Sequence, residues 1–192
     1  MNYKQISSVQ NPLVKNLLLL FEKSAERKKQ EKFVVEGKRE VLLALNAGYC
    51  VEQLVFCPDL IDPKEIELLI KKMDPQPEII ETTQQVFNKV VVRDNTGGMV
   101  AVVKSKYLKL EALECKPNPL FVVLETVEKP GNLGAILRTC DAAKVDALLV
   151  CDPQTDIFNP NVIRSSLGGI FTNKVVVCKS GDAIEWLKKN SI

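Results

Sequence analysis

The sequence predicts an α/β protein built in two blocks, residues 1–106 and 119–192. Three observations predict it. Short β-branched and aromatic runs alternate with amphipathic helical stretches, a pattern that implies parallel crossovers. The stretch 107–118 (YLKLEALECKPN) breaks the alternation. It is charged, has no clean period and runs into Pro117, Asn118 and Pro119, so it reads as a linker. Beyond it the apolar runs become continuous, as in Leu120–Leu124 and Ala147–Cys151, which is the mark of parallel strands buried on both faces.

In the first block Asn11 is placed to cap a helix with Pro12 at its first position. Leu13, Leu17 and Leu20 form its apolar face, and the helix continues as a polar segment from Glu22 to Gln30. Phe33–Val35 is a short strand, and Lys38–Ala47 a helix stopped by Gly48. Val51–Phe56 is the next strand. Pro63–Met73 follows as a helix with Ile66, Leu69, Ile70 and Met73 on one side. Ile79–Ile80 is a strand, Thr83–Val90 a short helix capped by Thr82 or Thr83, and Gly98–Val103 the last strand of the block.

The second block opens with the strand Leu120–Leu124 and a Pro130-Gly131 turn. Asn132 is placed to cap a helix running to Ala143. The strand Ala147–Cys151, a polar loop Asp152–Asn161, a short helix Pro160–Leu167 and the strand Val175–Cys178 follow. A final helix is capped by Asp182 and runs through Lys189. The block holds 74 residues (119–192) and stops directly after a helix, where the pattern would add another strand. A domain that small is marginal alone, so the expectation is an incomplete domain.

Composition narrows the chemistry. The chain is 46% hydrophobic and 26% charged, with a net charge of +2. No apolar run reaches membrane length and no signal peptide opens the chain, so a cytoplasmic setting is expected. Residues 1–39 hold nine Lys/Arg against four Asp/Glu, clustered at Arg27, Lys28, Lys29, Lys32, Lys38 and Arg39. That cluster suits a solvated helix end and an RNA-facing patch equally. There is no histidine, and the six cysteines form no C-x-x-C pair, which excludes zinc sites of the usual spacing and predicts no metal. Triads built on histidine are impossible, so a general base must be a carboxylate, Lys, Tyr, Cys or the substrate itself.

Two stretches could carry chemistry. Glu125 to Arg138 (ETVEKPGNLGAILR) leaves the end of an apolar strand and enters a helix, where open α/β sheets bind ligands. Gly131 and Gly134 permit close approach, and the helix start offers free N–H groups to an anion. Phe158 to Phe171 (FNPNVIRSSLGGIF) is polar where it could have been apolar, with Asn159, Arg164, Ser165 and Ser166 ahead of Gly168-Gly169. Taken alone, the first is also an ordinary strand-to-helix turn with a surface arginine, and the second an ordinary helix end.

Together they resemble a family. Glu125…Pro130-Gly131-Asn132-x-Gly134-x-x-x-Arg138-Thr139-x-Asp141-Ala142-Ala143 is similar to the first motif of the SpoU (TrmH-like) class of SPOUT methyltransferases. Asn159-Pro160…Arg164-x-Ser166-x-Gly168…Phe171 resembles the second. Ser8…Asn11-Pro12-x-Val14-Lys15, Phe33-Val34-Val35-Glu36-Gly37-x-Arg39 and Gly97–Val103 resemble the substrate-binding domain that precedes the catalytic domain in many members. Lys144 stands where the family usually has Gly.

The resemblance implies an L30e/L7Ae-like α/β sandwich followed by a Rossmann-like parallel sheet of the trefoil-knot class. The implied reaction is transfer of a methyl group from S-adenosylmethionine to a ribose 2′-hydroxyl of tRNA or ribosomal RNA, by a homodimer. A third motif of the family does not appear before Ile192, so most cofactor contacts are expected beyond this chain. The runner-up reading is a non-catalytic RNA-binding module with a vestigial or partner-completed second domain. Arg138 is implied as the central catalytic residue. A guanidinium stays protonated (pKa above ~12), so the expectation is that Arg138 grips a phosphate beside the target ribose. Asn132 would hold the ribose or shape the loop, Arg164 and Ser166 would line the same pocket, and Glu125 would pair with Arg138. Lys28, Lys29, Lys38 and Arg39 would face RNA.

Overall fold

In the computed structural model, which describes residues 3–92 and 96–192, the chain divides into two units, Met1–Ser105 and Lys106–Ile192. The first unit carries strands β1 (Lys4–Ile6), β2 (Lys32–Glu36), β3 (Val51–Phe56), β4 (Glu78–Thr82) and β5 (Met99–Lys104), in sheet order β1-β4-β3-β5-β2. Its helices are α1 (Pro12–Glu22), α2 (Ser24–Gln30), α3 (Lys38–Asn46), α4 (Pro63–Ile70) and α5 (Gln84–Val90). Asn11 starts α1 by accepting the Leu13 N–H at 2.9 Å, and Thr83 caps α5. Val14, Leu17 and Leu20 of α1 pack with Val55, Ile80, Phe87 and Val102 in one buried cluster. Among the described residues no helix is long and apolar enough to cross a membrane.

Three expectations change here. The helix expected from Pro12 to Gln30 is two helices, because Lys23 is extended (φ −113°, ψ 112°). The polar half folds back: Asn16 and Gln30 exchange amide hydrogen bonds of 2.9 and 3.2 Å. Buried Arg27 donates to the Leu20 and Phe21 carbonyls at 2.8 and 3.1 Å, satisfying the free end of α1. The sheet is not wholly parallel. β3 is parallel to β4 and β4 to β1, but β5 runs antiparallel to β2 and β3. The connection from β4 to β5 carries the seven-residue helix α5 and ends at a glycine pair. Gly97 and Gly98, at φ 62° and 73°, then turn it into β5 beside the end of β3. Strand β1 escapes sequence reading because it is three residues long with one buried side chain, Ile6.

The second unit is a parallel sheet of β6 (Phe121–Glu125), β7 (Ala147–Cys151) and β8 (Val175–Cys178), in order β6-β7-β8. Helices α6 (Pro130–Ala143), α7 (Pro160–Ser165), α8 (Gly169–Thr172) and α9 (Ser180–Lys189) connect and cover it. The proposed caps Asn132 and Asp182 lie inside their helices, which start earlier with Lys129 and Lys179 in the cap positions. Pro130, with its fixed φ, takes the first helical position. Residues 107–113 are not a free connector. Leu108 bridges to Val176, and Leu110 and Leu113 join the core with Leu149, Val176 and Ala183. Strand β6 is not buried on both faces as its apolar run suggests. Val123 is 46% exposed, because the cluster built by Leu110, Leu113 and α9 covers β7 and β8 and reaches β6 only at Phe121.

The unit is organised by the contact of α6 with α7. A Cβ on Gly134 would lie 2.8 Å from the carbonyl carbon of Ser165 and closer still to its hydroxyl. The Ser165 hydroxyl donates to the Asn161 carbonyl at 2.6 Å and lies 3.4 Å from the Pro130 carbonyl. Thr172 of α8 donates to the Asp141 carboxylate at 2.7 Å, and Asn173 to the Leu137 carbonyl at 3.2 Å. Gly134→Ala is therefore expected to cost about 1–3 kcal/mol through overpacking, read as a lower urea midpoint. Gly131→Ala, with nothing within 4 Å of its Cβ position, is expected to lose none. At the other end of α6, Lys144 ends the helix at φ 53°. A side chain there carries a left-handed penalty, so Lys144→Gly is expected to raise stability by about 1 kcal/mol, read in the same titration.

Candidate active site

The carboxyl ends of β6 and β7 are held by backbone. Thr126 (φ 50°) donates its N–H to the Cys151 carbonyl at 2.9 Å, and Asp152 (φ 43°) donates to the Cys178 carbonyl at 3.0 Å. Each residue is in the left-handed region without being glycine, a conformation that persists only where neighbours impose it. The hydrogen bonds turn both loops off the sheet at the edge where open α/β folds bind ligands. The Asp152 carboxylate accepts the Ser180 hydroxyl at 2.6 Å and the Ser180 N–H at 2.9 Å. Those bonds hold the Asp152 carboxyl below the usual carboxylate range. The same hydroxyl lies 3.5 Å from Glu125 Oε1.

Arg138 is exposed on α6, and its guanidinium donates to the main-chain carbonyl of Ser165. The expected pairing with Glu125 is not made. Among the described residues Glu125 neighbours Ser180, and Arg138 is fixed by a carbonyl instead. Arg164 is also exposed and donates to the Asn161 side chain at 2.8 Å. Asn159 caps α7 by accepting the Asn161 N–H at 2.8 Å. Asn132 is exposed in the first turn of α6, and its side chain forms no hydrogen bond among the described residues.

Ser166 is buried. It is 2% exposed, and its hydroxyl turns back to the Ile163 carbonyl at 3.0 Å. The serine brought to Arg138 is its neighbour, Ser165. Sequence reading noted Ser165 only as one polar residue of its stretch, and it passed over Asn173 and the pairing of Thr172 with Asp141, since their partners belong to a different motif. The one available signal was Gly134, whose missing side chain implies a close neighbour.

In the first unit the basic cluster is dispersed. Arg27 is buried, Lys32 pairs with Glu52 at 2.6 Å and Lys38 pairs with Glu65. Lys28, Lys29 and Arg39 are exposed and form no ion pair among the described residues. Lys28 and Lys29 precede β2 while Lys38 and Arg39 follow it, so a strand of about 16 Å separates them. The run that is contiguous in sequence is two groups in space.

Residues 11–101 match the MRM3-like substrate binding domain, and residues 119–192 match the SpoU rRNA Methylase family. Among curated relatives, the 23S rRNA (guanosine(2553)-2'-O)-methyltransferase RlmP of Bacillus subtilis is 28% identical over 98% of this chain and 71% of its own length. An AdoMet-bound rRNA methyltransferase structure from Sinorhizobium meliloti superposes with a TM-score of 0.86 at 27% identity, covering 97% of this chain and 69% of that one. An RNA 2'-O ribose methyltransferase structure is 33% identical at a TM-score of 0.77, with 97% and 70% covered. The chain spans from 57% to 71% of the length of four curated relatives. With both halves matched in order and the fold shared throughout, the chain belongs to the SpoU family of RNA 2′-O-ribose methyltransferases, with an MRM3-like substrate-binding domain ahead of the SpoU domain.

Proposed function

We propose that this chain takes part in methylation of a ribose 2′-hydroxyl of ribosomal RNA, with S-adenosylmethionine as methyl donor. The observation that carries the reading is Arg138, pinned through one N–H to the Ser165 carbonyl with its remaining donors exposed. Those donors suit the oxygens of one RNA phosphate. Arg164, oriented by Asn161, adds a second phosphate contact. Asn132 offers an amide to the ribose. The ribose proton leaves O2′ as the methyl transfers and is relayed by the phosphate that Arg138 holds to water. S-adenosylmethionine supplies an already electrophilic methyl on a cationic sulfonium. Glu125 and Asp152, two carboxylates with no cation bonded to either among the described residues, fit a group of that charge.

The test combines labelled S-adenosylmethionine, ribosomal RNA and mass spectrometry of the digested nucleosides. Label is expected on ribose, and Arg138→Lys is expected to lose roughly 10²-fold in turnover with an unchanged circular dichroism spectrum. Label on a base, or an Arg138→Lys variant that matches the parent's turnover, would each sink the reading. The first unit recognises RNA through Lys28, Lys29 and Arg39, while Lys38 contributes less because Glu65 holds it. Charge reversal at Lys28 and Lys29, and separately at Arg39, is expected to weaken RNA binding and flatten its salt dependence. Unchanged affinity in both variants would discard this surface.

A further inference from the structure

Cys151 and Cys178 end β7 and β8 and are register partners. Both thiols are free, and their sulfurs lie 3.8 Å apart. Register partners on adjacent strands point to the same face, and such strands are about 4.8 Å apart. That spacing falls inside the ~4.4–6.8 Å window of Cα separations that a disulfide accepts. From 3.8 Å the sulfurs have to close to the ~2.05 Å of a covalent bond. Cys151 is buried and Cys178 half-buried, so an oxidant meets Cys178 first.

We propose that Cys151 and Cys178 form a dithiol that a small-molecule disulfide closes into an intramolecular disulfide between β7 and β8. The Cys178 thiolate attacks one sulfur of the oxidant and releases one thiol, leaving a mixed disulfide. Cys151 then attacks the Cys178 sulfur and releases the second thiol. Two protein thiols are oxidised to one S–S bond, the oxidant is reduced to two thiols, and the two protein protons leave with them. The new bond ties the strand ends directly ahead of Asp152 and Ser180, whose hydrogen bonds join the two loops. This goes beyond methyl transfer and does not depend on it.

Burial, then the neighbouring Cys151, push the Cys178 thiol up to about 12, with Asp182 and Asp152 adding to the rise. Burial raises Cys151 too, and the facing carboxylates Asp152 and Glu125 work in the same direction. Few thiolates exist at neutral pH, so closure is slow there and quickens as pH rises.

The test treats the full chain with oxidised glutathione at neutral and alkaline pH, quenches with iodoacetamide and maps the peptides by mass spectrometry. The expected product is a cross-linked pair containing Cys151 and Cys178, lighter by two hydrogens, formed faster at alkaline pH and reversed by a reducing thiol. Exposed Cys115 is expected to carry glutathione instead. Cys151→Ala should leave Cys178 as a mixed disulfide with glutathione. Cys178→Ser, at the less buried position, should leave Cys151 unmodified. Alkylation of both residues after full glutathionylation of Cys115, or a cross-link from Cys178 to any other cysteine, would overturn the proposal.

Discussion

Two helices bring main chain against main chain only where one of them lacks a side chain, and in the second unit that place is Gly134. With no Cβ there, the last turn of α7 sits on α6 with the Ser165 backbone in contact. The Ser165 hydroxyl is turned back to the Asn161 carbonyl, which leaves its own carbonyl to meet Arg138. Thr172 and Asn173 then fasten the following segment to Asp141 and Leu137 farther along α6. The orientation of Arg138 is thus fixed by a backbone atom. A carbonyl orients a guanidinium without neutralising it, whereas a carboxylate partner would cancel the charge that an anionic ligand needs.

The same economy governs the rest of the edge. Arg138 and Arg164 lie on the α6–α7 side and are held by a carbonyl and an asparagine. Glu125 and Asp152 lie at the strand ends and share a serine. Each of the four is hydrogen-bonded to a neutral partner rather than to one another. A reaction between a polyanion and a cationic methyl donor asks for that separation, since an internal ion pair would have to be broken before either substrate could bind.

Much of this was legible in the sequence. Strands β3, β7 and β8 have the ends their apolar runs announce. Asn11-Pro12 announces α1. What was not legible depends on partners distant in sequence. Nothing in Glu22–Gln30 reveals that Gln30 returns to Asn16. The choice between Ser165 and Ser166 is decided by which one meets α6, and helical phase in a six-residue helix is too short to tell. The run Leu120–Leu124 records hydrophobicity, but the covering of one face is set by how far α9 and Leu110 reach.

The absence of histidine has its sharpest consequence at this edge. A base that works near neutrality needs an affinity for protons near neutrality. Asp152 is held low by Ser180, so it binds a proton weakly. Cys151 and Cys178 are pushed up by burial and stay protonated. A guanidinium is permanently protonated. None of these groups is matched to accepting the proton of a ribose hydroxyl at neutral pH. The sulfonium donor reduces the need, because its methyl is transferred to an oxygen whose proton can leave late. In the proposed reaction the phosphate held by Arg138 relays that proton to water rather than keeping it, and the chain's task becomes placement of that phosphate. Arginine, with its planar fork of donors, is suited to that task, and the contact at Gly134 aims it.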